Sequence, residues 1–165
     1  MFVVMKLLHL SAAALAGYLV MKKTKFKPVA LVRGIRNNNP GNIRISGVTW
    51  EGQTGDDGAF VKFSSPEFGI RAMARTLINY QRIHGLNTVS EIISRWAPDN
   101  ENNTEAYIDS VADSMGVFSW WPFDVEDAEK LTGLVHAIIK HENGIQPYSA
   151  QVIARGIQLA GESFA

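Results

Sequence analysis

Apolar and polar positions alternate most regularly between Leu131 and Ile139, where Leu131, Leu134, Val135, Ile138 and Ile139 fall at i, i+3, i+4, i+7 and i+8. That spacing places all five on one stripe of an α-helix. Asn143-Gly144 follows with the residue types that end helices in the left-handed conformation, and Pro147 opposes resumption. Four more helices are predicted. Ser65 caps the first, with Pro66 at its opening position and Phe68, Ala72, Leu77 and Tyr80 on its apolar side. Thr88 to Glu91 is a capping box for a short helix through Ile92, Ile93 and Trp96. Asn103 or Thr104 starts a third, stopped by Gly116, and Ser149 caps a last one bearing Val152, Ile153, Ile157 and Ala160. The organising helix of residues 131–143 is expected to open at Asp124.

Residues 33–63 have a different texture. Arg36 to Asn42 (RNNNPGN) is dense in turn formers. A strand is expected around Ile43 to Trp50, a turn over Gly52 to Gly58, and a returning strand over Ala59 to Phe63. The prediction is a mainly α (α+β) domain over residues 33–165 with one small β-hairpin.

Residues 1–32 form a separate N-terminal segment. Residues 1–21 are mostly apolar, broken by Lys6 and His9, and Lys22, Lys23, Lys25 and Lys27 follow at once. Three readings stay open: an apolar membrane-anchoring helix with Lys6 snorkelling, an export signal with Ala14-Leu15-Ala16 as its cleavage site, or a buried or surface amphipathic helix. With the heavier positive charge after the apolar run, the positive-inside rule places the following domain on the cytoplasmic side or its equivalent.

Composition alters this picture in two ways. The net charge of zero conceals a split, because residues 1–36 hold seven Lys or Arg and no acid, leaving nine basic and sixteen acidic residues beyond. An acidic body is poorly suited to nucleic acid, which wants a basic face. The absence of cysteine removes disulfides, thiolate nucleophiles and Cys-based zinc sites. His84, His136 and His141 show no H-x-x-x-H or H-E-x-x-H spacing, so no metal or cofactor is expected. There is no G-x-S-x-G elbow and no phosphate loop. Carboxylate chemistry remains. Glu142 lies in the last turn of the organising helix, where the negative end of the macrodipole disfavours a charged carboxylate and so suits a general acid.

Several long motifs carry a resemblance. RGIRNNNPGNIR (33–44), WEGQ (50–53), FVKF (60–63), SPEFGIRA (65–72), RWAP (95–98), ENNTEAYI (101–108) and HENGIQPYS (141–149) resemble a family of small bacteriophage and prophage proteins. That family is described as virion structural proteins or peptidoglycan-degrading enzymes. A second resemblance is to flagellar-type N-acetylglucosaminidases, in Asn38 to Arg44, Trp50-Glu51-Gly52 and Phe60 to Phe63. Glu142-Asn143-Gly144 with Pro147 also resembles the E-S-G-x-x-P element of soluble lytic transglycosylases, with Asn143 in place of Ser and Pro40-Gly41 in place of Leu-Phe. The catalytic element stands last instead of first, which implies a circularly permuted lysozyme-like fold.

These resemblances imply cleavage of the β-1,4 bond of peptidoglycan glycan strands, for local wall opening at genome entry or release. The alternative is a catalytically inactive structural or glycan-binding virion protein. Glu142 would be the general acid. A hydrolase would take its second carboxylate from Glu51, Asp56 or Asp57, whereas a lytic transglycosylase, slightly favoured, needs Glu142 alone. Glu101 is a minor rival for the acid. Asn38, Asn39, Asn42, Asn103, Tyr107 and Tyr148 are candidate supports for substrate, and Trp50 and Trp96 candidate stacking surfaces; each is also a candidate for ordinary packing. The implied partners are glycan strands, a membrane through residues 1–21, and other virion proteins, and no nucleic acid. The implied location is the virion or its membrane, with export to the periplasm as the alternative.

Overall fold

The computed structural model describes residues 32–98 and 103–162; the N-terminal apolar segment and Glu101 lie outside the described residues. A short α1 (Arg33–Arg36) leads through the asparagine-rich loop to the hairpin β1 (Gln53–Asp56) and β2 (Val61–Phe63). Five helices follow: α2 (Pro66–His84), α3 (Val89–Trp96), α4 (Thr104–Met115), α5 (Ala128–Asn143) and α6 (Ala150–Glu162). Helices α2 and α6 make the most extensive pairing, and α4 packs against both α3 and α5.

The predicted stripe of α5 is the centre of this body. Leu131, Leu134, Val135, Ile138 and Ile139 are all buried, against Ile70, Met73, Leu77, Ile92, Ile93 and Val111 from the surrounding helices. A second, smaller cluster of Val61, Phe63 and Ala72 fixes the hairpin to α2, with Ile43, Trp50 and Phe68 packed on it.

Helix boundaries follow capping chemistry. The Thr88–Glu91 box forms in both directions, and Asn103 caps α4 by accepting from Ala106 N. Gly116 and Gly144 close α4 and α5 in the left-handed conformation. The cap of helix α5 lies three residues later than expected. Asp127, not Asp124, accepts from the Glu129 and Lys130 amides, while Asp124 is held by the Gln81 side chain. Ser65 stands at the N-cap of α2 in extended conformation, but its side chain makes no capping bond.

The first strand also differs from expectation. It is Gln53–Asp56, inside the stretch expected to turn, and it pairs antiparallel with Val61–Phe63 across an irregularity between Gln53 and Gly55. Residues 46–49 are exposed, and the pairing expected from Ile43 onward shrinks to the Arg44–Phe60 bridge, made by Ile45 N to Ala59 O and Val61 N to Ile43 O. Gly52 and Gly55 adopt positive φ, which lets the chain bulge back into register where a side chain would resist. Among the described residues no helix is long and apolar enough to cross a membrane.

Candidate active site

The last turn of α5 is tied to the asparagine-rich loop by a buried amide. Asn143 Nδ2 donates to Pro40 O and to Ile139 O, both at 2.8 Å. The loop itself is held by the other amides. Asn39, fully buried, donates to Ile43 O and Val61 O and accepts from Ile43 N. Asn38 donates to Phe63 O, and Asn37 donates to Asp57 Oδ2 at 2.8 Å. Asn38 and Asn42 both take positive φ, 50° and 49°, a region that asparagine tolerates better than other side-chain-bearing residues.

This scaffold brings Asn42 to Glu142, one hundred residues away. Asn42 Nδ2 donates to Glu142 Oε2 at 2.8 Å, while Tyr107 Oη at 2.8 Å and Trp96 Nε1 at 3.3 Å donate to Oε1. The half-buried carboxylate thus sits among three donors supplied by the loop, α3 and α4. Burial pushes the Tyr107 phenol above the ordinary phenol range, and the Glu142 charge and hydrogen bond push it further, so Tyr107 stays a donor. His141 stacks on the Tyr107 ring at 3.6 Å between centroids with 12° between planes. Burial lowers the His141 imidazole, against a smaller opposite pull from Glu142.

Glu142 opens onto a cleft of about 340 Å³, within the range of small-ligand pockets. The loop wall is Gly41, Asn42, Ile43 and Arg44 with Phe60 of the hairpin; the helical wall is Thr76 and Tyr80 of α2 with Trp96, Ala97 and Pro98. The approach is close at Gly41, where a Cβ would stand 2.5 Å from Met73 Cγ and 2.9 Å from Trp96 Cζ2. A larger residue at position 41 would collide with Met73 and Trp96.

The other candidates are distributed differently. Glu51 pairs with the buried Arg71 guanidinium at 2.6 Å. Asp56 accepts from Gly58 N in the hairpin turn. Asp57 accepts from Asn37, Ala59 and Phe60 and pairs with Arg33 at 3.5 Å. None of the three lines the cleft. Among the amides only Asn42 reaches it; Asn37, Asn38 and Asn39 hold the loop, and Asn103 caps α4. Trp50 packs on the hairpin cluster, and Tyr148 packs beside the main core with its hydroxyl buried and unbonded. Among the described residues there is no His, Asp or Glu cluster able to hold a metal.

Thr76, Tyr80, Arg44, Phe60 and His141 belong to the site or its support, although the sequence did not mark them as site residues. Thr76 and Tyr80 carried a usable signal: a hydroxyl and a phenol four residues apart share one face of a helix. Arg44 and Phe60 stood in motifs that carry a resemblance, but only an isolated bridge between the loop and the residue before β2 brings them together.

No family model matches the chain. Over 157 residues it is 38% identical to "Protein P5" of Pseudoalteromonas phage PM2, an alignment covering 92% of this chain and 94% of that protein.

Proposed function

The chain belongs to the family of phage PM2 protein P5, and from that premise we propose that it is a phage enzyme cleaving the β-1,4 glycosidic bond of peptidoglycan, with Glu142 as its acid. One observation carries this reading: a carboxylate at a helix end, held by three convergent side chains, faces a cleft with aromatic rings on its walls. Indole and phenol faces suit the apolar faces of sugar rings, and amide groups such as Asn42 suit their hydroxyls.

Acting as acid, Glu142 takes up a proton and passes it to the leaving oxygen. Acting next as base, it receives the proton of the attacking hydroxyl. Tyr107 and Asn42, one on each carboxylate oxygen, keep the group aimed through both steps. The candidates for a second carboxylate are engaged elsewhere, Glu51 by Arg71, Asp56 by its own turn and Asp57 by Asn37. This favours the lytic transglycosylase route, in which the substrate's own 6-hydroxyl attacks and one carboxylate suffices.

Glu142→Gln is the test. Its amide oxygen can still accept from Tyr107 and Trp96, and Asn42, whose Oδ1 has no partner, can turn over to accept from the new amide nitrogen. The variant is therefore expected to fold as the parent does while losing about 10²–10⁴-fold in release of soluble fragments from purified peptidoglycan. Products with 1,6-anhydromuramic ends identify the transglycosylase route, and reducing ends the hydrolase. Equal activity in the variant removes Glu142 from the mechanism.

A second reading, a structural or glycan-binding virion protein, is favoured by the same three hydrogen bonds, because they occupy the carboxylate with the protein's own donors. Wild-type protein that sediments with peptidoglycan but releases nothing from it would support that reading.

A further inference from the structure

The connection between α4 and α5 contains Gly116 to Phe123 (GVFSWWPF), eight residues without a charge. Phe118, Trp120 and Trp121 are 68%, 63% and 58% exposed, among the largest apolar exposures of the described body. They form one cluster, with Phe118 and Trp120 near-parallel at 5.5 Å between centroids and Trp121 tilted against Trp120 at 5.6 Å. Contiguous apolar patches of this kind mark surfaces that meet something.

The loop is built to hold these rings outward. Val117 and Phe123 pack on the main core and anchor its two ends. Ser90 N donates to Ser119 O, Phe123 N to Asn87 O, and Trp121 N to Phe118 O. These bonds tie the loop to the body and to itself.

We propose that this aromatic loop docks on the surface of a lipid bilayer, with Phe118, Trp120 and Trp121 seated among the headgroups and upper acyl chains. Indole is the side chain that favours that zone, having an apolar body and one N–H for the wet side. Stacked rings make a compact wedge and not the flat, side-by-side platform that a glycan strand would need. The rim carries Asp124 and Asp127 against Lys130, so the matching surface is zwitterionic or neutral and not anionic.

The rest of the chain fits this placement. Residues 1–21 are mostly apolar, and the loop would add a second contact to any attachment they make. The described body begins beside the C-terminal end of α5, where Gly34 meets Asn143, whereas the aromatic loop lies at the N-terminal end. The sixteen residues of α5 span about 24 Å. Residues 22–31 reach at most roughly 36 Å when extended, enough for both elements to touch one bilayer.

The full chain bound to phosphatidylcholine vesicles with brominated acyl chains tests this. The apolar segment has no tryptophan, so quenching by bromine reads the body alone. Wild-type emission should shift to the blue and be partly quenched. Trp120→Phe with Trp121→Phe should lose the quenchable part, leaving Trp50 and Trp96 emission unaffected by bromination. Wild-type emission that bromination leaves unchanged overturns the proposal, and that arm stands even if the double variant fails to fold. Quenching as strong in the double variant also overturns it. Loss of binding to peptidoglycan by that variant, without lipid quenching in the wild type, would reassign the loop to glycan.

Discussion

Asp57 accepts from the Asn37 amide and from the backbone of Phe60 and Ala59, with the Arg33 guanidinium beside it. The Asn37 hydrogen bond is the largest cause holding its carboxyl down to about 2, with the Phe60 amide next. A depressed carboxyl favours the folded state wherever the unfolded group would already be ionised, above about 4. The contribution is lost as pH falls from there towards about 2. Asp57→Asn should flatten the fall in stability across that window, as read from denaturation midpoints at stepped pH. An unchanged acid limb would show that other carboxylates govern it. His141 has the opposite chemistry and the same direction: its lowered imidazole favours the neutral ring, so acid also works against the Tyr107 stack.

At the scale of elements, local chemistry explains most of what forms. The stripe of α5 is buried along its whole length because it packs against several helices and not one. Ile138→Ala removes a fully buried side chain from that stripe, and a loss of about 2–5 kcal/mol is expected in urea denaturation. A loss below about 1 kcal/mol would mean that the core closes over the gap. Helix ends were legible wherever a side chain could reach a free amide, as at Thr88 and Asn103. They were misplaced where two acids competed, since Asp124 and Asp127 both suit an N-cap and Asp124 is taken up by the Gln81 side chain and the Glu126 amide. The hairpin was legible as a hairpin but not in register. Glycine-rich stretches accept turn and strand alike, and the choice fell to the apolar support under Val61 and Phe63.

At the scale of the molecule, the cleft exists because two stretches far apart in the sequence meet, the asparagine-rich loop and the last turn of α5. Asn143 bonds Pro40, and Glu142 accepts from Asn42, over separations of about one hundred residues. Asn143→Ala removes the buried tie to the loop and leaves the Pro40 carbonyl without its donor. A stability loss of about 1–3 kcal/mol is expected. Cleft function should fall together with stability, measured as thermal midpoint and peptidoglycan binding on one sample. Normal binding at reduced stability would show that the loop keeps its place without this tie.

The sequence by itself determined the five longer helices but not the short α1, along with most of their caps, the presence of a hairpin and the position of Glu142 at a helix end, because each depends on residues within a turn or two of one another. Tertiary structure alone decided which carboxylates and amides share a space. Glu51, Asp56 and Glu142 look alike as letters, but a buried guanidinium engages the first, a turn amide the second, and three distant donors the third. Side chains from the loop, α3 and α4 converge on Glu142 only after the core has closed, and no local pattern encodes a contact made across the whole chain.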